Sequence, residues 1–186
     1  MKTTTQALIN SFIIVPLVAT TLSMNAFTVS INEAVSKIVA SDQSLSVEDI
    51  ALQKDREAKA AKIDAYYAQY DLPLAGHGMQ MVLAAEEYNL DWKLLPAIAM
   101  RESTGGKHIC PKSNNPYGWG SCKIHFESFE EATNTVATNL GGANPRTASY
   151  YANKDIKGKL KAYNSVIPAY TTEIFSIMNK IETMDA

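Results

Sequence analysis

A chain of 186 residues, 46% hydrophobic and 19% charged, is long enough to bury the core of one moderate domain with an appendage. A formal net charge of −2 and a pI near 5.9 exclude the basic footprint by which proteins hold nucleic acid. They equally exclude a purely electrostatic grip on an anionic polymer, so recognition of one has to come from a shaped groove.

The N-terminus reads as an export signal. Lys2 supplies a thin positive region, and Phe12, Ile13, Ile14, Val15, Leu17 and Val18 supply an apolar run too short to span a bilayer comfortably. Residues 1–26 are expected to be a signal peptide cleaved after Ala26. Met24 is large for its place before that site, which leaves an uncleaved anchor as the alternative. The expected destination is the cell envelope or the extracellular space, with membrane contact through this segment alone.

Residues 31–70 contain no Gly or Pro and are rich in Ala, Lys, Glu and Asp. Ser46, followed by Asp49, predicts the cap of a helix running through Ala51, Ala58 and Ala61. Its middle, Lys54, Asp55, Arg56 and Glu57, is polar all round and lacks sustained heptads. Residues 27–70 therefore read as a solvated helical spacer, with a coiled-coil partner helix as the alternative.

Asp71-Leu72-Pro73-Leu74-Ala75-Gly76 breaks that helix and opens a domain over 71–186. Helices are predicted over 77–88 and from a cap at Asp91 through Ser103, the second stopped by Gly105 and Gly106 and delayed or kinked by Pro96. A loop over 107–127 follows, punctuated by Pro111, Pro116, Gly118 and Gly120. Ser128 and Glu131 form a capping box for a helix ending near Leu140. After Tyr150, Tyr151 and a Lys-rich stretch, Pro168 opens a last helix carrying Ile174, Ile177, Met178 and Ile181. The fold class is mainly α, a monomeric helical bundle with one long loop.

Cys110 and Cys122 lie close together in that loop. In an exported protein such a pair predicts a disulfide. His108 and His125 flank the cysteines symmetrically, so a Cys2His2 zinc site is the alternative.

One residue breaks the apolar pattern. Leu94, Leu95, Ile98 and Ala99 mark the buried stripe of the helix ending at Ser103, and the next member of the stripe is Glu102. A carboxyl there is expected on the floor of a cleft, where partial burial favours its protonated form and suits it to proton donation. A Glu reaching into solvent from a frayed helix end is the alternative.

The run from Leu95 to Gly106, with Glu102-Ser103 at its centre, resembles the Ala-rich helix ending in Glu-Ser of lysozyme-like enzymes. These include bacterial cell-wall N-acetylglucosaminidases and lytic transglycosylases. Asn114-Asn115-Pro116-Tyr117-Gly118-Trp119-Gly120 is similar to the Asn-Asn-x-x-Gly segment of the glucosaminidase group, and Phe129-Glu130-Glu131-Ala132 to its next helix start. The segment from Tyr163 to Ile174 resembles its late portion, with Tyr170 matching a tyrosine ahead of the closing helix. The match covers about residues 72–183. No Gly-Leu-Met-Gln segment follows, unlike the main transglycosylase group.

This resemblance implies a lysozyme-like domain that cuts the peptidoglycan glycan strand between N-acetylglucosamine and N-acetylmuramic acid, without a cofactor. Glu102 would be the general acid. Glu127 is the candidate second carboxylate, with a helix N-terminal charge as its alternative role. Without a second acid, the substrate's own acetamide or muramyl hydroxyl would serve, positioned by Tyr170. Ser103, Asn114, Asn115, Tyr117 and Trp119 are expected to contact substrate, the aromatics through their flat faces and the asparagines through their amides. A non-catalytic peptidoglycan-binding or scaffold protein of the same fold is the competing reading.

Overall fold

The computed structural model describes residues 46–186; the expected signal peptide and the first part of the expected spacer lie outside them. Among the described residues the chain is helical with no strand: α1 (Val47–Ala68), α2 (Gly78–Glu87), α3 (Leu94–Ser103), a 3-10 turn (Ser121–Lys123), α4 (Phe129–Gly141), α5 (Ala148–Tyr151), α6 (Ile156–Tyr163) and α7 (Tyr170–Glu182). None of these helices is long and apolar enough to cross a membrane.

The two ends of α1 differ in character. Val47, Ile50 and Leu52 in its first turns are exposed, whereas Ala60, Ile63, Tyr66 and Tyr67 recur at helical spacing and are buried. This stripe packs against α2 and α7. The spacer expected over 27–70 is corrected at its end, since the residues from Ala60 onward build the core. Asp64 on the same helix accepts hydrogen bonds from the backbone N–H groups of Gly76 and Gly78, each at 2.8 Å, and so satisfies donors at the start of α2. Gly78 is needed for this approach, because a Cβ there would lie 2.4 Å from the Ala60 carbonyl oxygen.

α3 is the central helix. Every residue from Leu94 to Ala99 is buried, which requires neighbours on all sides, and α2, α4 and α7 supply them. Pro96 is the third helical residue, where an N–H would have no intrahelical acceptor, so it costs no hydrogen bond. The helix starts at Leu94 rather than directly after Asp91, whose side chain instead accepts the Lys93 N–H at 2.9 Å. Buried Tyr67 donates its hydroxyl to the Pro96 carbonyl at 2.8 Å, tying α1 to α3. Thr104 closes the helix in the left-handed region (φ 53°), and Gly105 and Gly106 continue it at φ 60° and 89°.

Ser128 caps α4 as expected, its hydroxyl accepting the Glu131 N–H at 3.1 Å. The return bond of the box is displaced by one residue, with the Glu131 carboxylate taking the Glu127 N–H at 2.6 Å. The Lys-rich stretch, to which no helix was assigned, forms α6. Asp155 caps it through the Gly158 N–H at 2.8 Å, and Lys159 turns inward. The Lys159 ammonium donates to the carbonyls of Leu140 at 2.5 Å and Tyr151 at 2.9 Å, where burial lowers its pKa. In α7 the buried positions are Tyr170, Ile174, Met178 and Ile181, one continuous stripe laid on α3.

Candidate active site

The central geometry joins the end of α3 to the start of α7. Tyr170, the first residue of α7, donates its hydroxyl to Glu102 Oε1 at 2.6 Å. Glu102 is half-buried, one residue before the end of α3, and its other oxygen faces Gly118: a Cβ on that glycine would lie 3.3 Å from Oε2. Gly118 carries φ +62°, a backbone state that favours glycine. Burial and the bond to Glu102, in that order, push the Tyr170 hydroxyl far above the ordinary phenol range, so it remains a donor.

Two open recesses meet at Gly118. One, about 190 Å3, is lined by Glu102, Ser103, His108, Ile109, Cys110, Ser113, Asn115, Gly118, Ser121 and Cys122. The other, about 350 Å3, is lined by Gly118, Trp119, Gly120 and Tyr163. A third recess, about 470 Å3, lies between α2 and α4 and shares no lining residue with these two.

Stacked aromatics back the site. Tyr163 lies nearly parallel to Tyr170 (13°, centroids 6.2 Å apart) and 5.8 Å from Trp119, which in turn lies 6.3 Å from Tyr151. Tyr163 donates its hydroxyl to the Tyr117 carbonyl at 2.5 Å, fixing the loop against α6. On the other side, Arg101 meets Glu173 at 2.5 Å, and its guanidinium carbon lies 5.9 Å from the Tyr170 ring centroid.

Several side chains expected to contact substrate make hydrogen bonds within the protein, although Ser103 and Asn115 also line the recess beside Glu102. Tyr117 is fully buried with its hydroxyl 2.8 Å from Thr133 Oγ1, so it fills the core and offers no face to a groove. Ser103 is buried; its hydroxyl donates toward the carbonyls of Pro116 (2.7 Å) and Ala99 (3.1 Å) and accepts the Gly106 N–H. The Asn114 amide donates to the Phe126 and Glu127 carbonyls, both at 3.0 Å. The Asn115 amide accepts the Trp119 N–H at 3.1 Å and donates to the Trp119 carbonyl at 2.8 Å. A Gly-rich loop has few backbone hydrogen bonds of its own, and these polar side chains supply them.

Glu127 is exposed and lines neither recess beside Glu102, so among the described residues no second carboxylate accompanies the first there. Cys110 and Cys122 are joined in a disulfide with Cα atoms 5.7 Å apart. This tells against the zinc alternative, because the two sulfurs are bonded to each other and are not the thiolate ligands such a site needs.

The sequence offers no site role for Tyr163, for Gly118 beside Glu102, or for the Arg101–Glu173 pair. Tyr163 stood at the head of the late segment, seven residues before Tyr170, which was a usable signal; nothing in the sequence pairs Arg101 with Glu173. No protein-family model matches the chain, and no curated protein or solved structure matches it.

Proposed function

We propose that this chain is an exported, lysozyme-like glycoside hydrolase that cuts the peptidoglycan glycan strand between N-acetylglucosamine and N-acetylmuramic acid, with Glu102 as general acid. The observation that carries the proposal is the Tyr170 hydroxyl on Glu102 Oε1 at 2.6 Å. It gives the two carboxyl oxygens different roles. Oε1 is held by the Tyr170 hydroxyl, and Oε2 is turned toward Gly118 and the open recesses.

Protonated on Oε2, Glu102 gives its proton to the glycosidic oxygen as the bond from that oxygen to the sugar C1 breaks. The leaving strand departs as an alcohol, and positive charge develops at C1. Among the described residues no second carboxylate lines these recesses, and in this reading the acetamide oxygen of the substrate closes on C1 and water then opens that ring. The water proton returns to Glu102. The Cys110–Cys122 bridge fits an oxidising compartment and hence export.

The solitary carboxylate also favours a second reading, a peptidoglycan-binding module without activity. Glu102→Gln separates the two, because it keeps the shape and removes the proton. Purified peptidoglycan is digested with each protein and its ends are read by mass spectrometry. Reducing N-acetylglucosamine, reducing muramic acid and anhydro-muramic ends report three different bond cleavages. Products from the wild type alone support the enzyme; no product from either protein, with equal binding by both, supports the module.

A further inference from the structure

We propose that the groove between α2 and α4 binds an extended peptide segment of a partner protein in which one apolar side chain stands between two basic ones, in the pattern Lys-x-Leu-x-Lys. This recess, about 470 Å3, is larger than either of those beside Glu102 and shares no lining residue with them, so the proposal stands apart from the reading of that residue. Its walls follow from helical spacing. Met79, Leu83 and Glu87 are four residues apart and form one row on α2, and Glu130 and Asn134 form the facing row on α4. Leu83 is 44% exposed, an apolar side chain left open to solvent within the groove.

The two helices fix where the charges fall. At one end the His77 ring meets the Phe129 ring edge-on, centroids 5.5 Å apart, and at the other a Cβ on Gly141 would lie 2.6 Å from the Cβ of Tyr88. The starts of α2 and α4 are therefore together, and so are their ends: the helices run parallel. Glu130, in the first turn of α4, stands at the His77 end. Glu87, the last residue of α2, stands at the other, roughly 12 Å along at 1.5 Å per residue. Leu83 lies between them. Two carboxylates so far apart cannot share one metal ion, so positive charge has to arrive at two points on one chain.

Neither carboxylate is neutralised by the protein. Among the described residues Glu87 and Glu130 make no ion pair and no side-chain hydrogen bond, and no Lys or Arg lines the groove, whereas Glu86 beside it meets Arg56 at 2.7 Å. Glu87 is also set against its own helix, a negative charge at the C-terminal end of α2, whose last turn holds no base. An incoming cation offsets that repulsion. In an extended peptide, side chains two apart share a face, and positions four apart span about 13 Å. Lys-x-Leu-x-Lys therefore brings its ammonium groups to Glu130 and Glu87 and its leucine onto Leu83.

The test uses the full chain and a dye-labelled peptide, Ser-Lys-Ser-Leu-Ser-Lys-Ser, followed by fluorescence anisotropy. Saturable binding that weakens with added salt is expected. Glu87→Gln and Glu130→Gln should each weaken it by up to about fivefold, and the double variant by the product of the two, since the sites are far apart. Replacing the peptide's leucine with serine should cost roughly tenfold. A shuffled peptide of the same composition, with leucine and lysine on opposite faces, should bind more weakly than the designed one. No saturable binding, equal binding of the shuffled peptide, or full affinity in a double variant with unchanged circular dichroism overturns the proposal. Displacement of the labelled peptide by soluble peptidoglycan fragments overturns it too, by assigning the groove to the wall polymer in place of a partner protein.

Discussion

Arg101 and Glu173 pair at 2.5 Å between α3 and α7, one residue along from Glu102 on the first helix and three from Tyr170 on the second. The two helices are thus tied twice at the same level, once by charge and once by the Tyr170–Glu102 bond. With side-chain exposures of 33% and 42%, the ion pair is screened and worth about 0–1 kcal/mol in stability. Its larger effect is on position. Arg101→Gln should lower thermal stability only slightly; under the proposed function it should slow glycan cleavage several-fold, up to roughly 10²-fold with a shift of Tyr170 on Glu102. Melting curves and initial rates measured together check this; equal loss in both would mean the pair is merely structural.

Tyr170→Phe keeps the ring that stacks on Tyr163 and removes the donor to Glu102 Oε1. Under the proposed role of Glu102 as general acid, Glu102→Gln should cost about 10²–10⁴ in rate. Tyr170→Phe should cost less, and the double variant should be no slower than Glu102→Gln alone, because the two residues act as one unit. Additive losses in the three rate constants would separate their roles.

The Cys110–Cys122 bridge closes a separation of 12 residues and should stabilise the fold by about 2–3 kcal/mol. Replacing both cysteines with Ser should lower the denaturant midpoint accordingly, and a thiol reductant should do the same to the wild type while leaving the variant unaffected. Asn115→Ala acts on the same loop from inside. It should disturb Trp119 emission more than loss of the bridge does, since Asn115 alone grips the Trp119 backbone.

Buried tyrosines should contribute to the loss of stability at alkaline pH. Burial, reinforced by Tyr70, pushes Tyr66 from 10.0 up to about 12, and Tyr67, Tyr163 and Tyr170 are raised as well. A raised folded-state pKa means that the folded chain holds protons the unfolded chain has lost. The Tyr66 contribution is therefore complete below pH 10 and disappears as pH climbs toward about 12. Urea midpoints followed alongside tyrosinate absorbance should fall across this window, and Tyr66→Phe should flatten the slope.

The central helix and the half-buried place of Glu102 at its end were legible in sequence because both follow from local period. Leu94, Leu95, Ile98 and Ala99 fix one face of α3, and that face places Glu102. The loop aromatics were not legible in the same way. Tyr117 and Trp119 are both flanked by glycine or proline, and Tyr117 turns inward onto Thr133, a residue 16 positions away on α4 that no local pattern in the loop points to. The amides of Asn114 and Asn115 resemble ligand contacts until the backbone groups they satisfy are known. α6 was hidden because its inward lysine, Lys159, belongs to a residue type that almost always faces water; here two carbonyls receive it. The contact from Tyr170 to Glu102 spans 68 positions, so no local pattern points to it.

The bond from Tyr67 to the Pro96 carbonyl sets where this domain begins in any excised fragment. A piece starting at residue 71 would look complete by its turn signals, yet it would lack the side chains of Ile63, Tyr66 and Tyr67 and the carboxylate that seats α2. The helix bearing Glu102 would then have an open flank. Fragments prepared for crystals or kinetics should retain α1, and a protease nick within its last two turns should inactivate the protein from a distance.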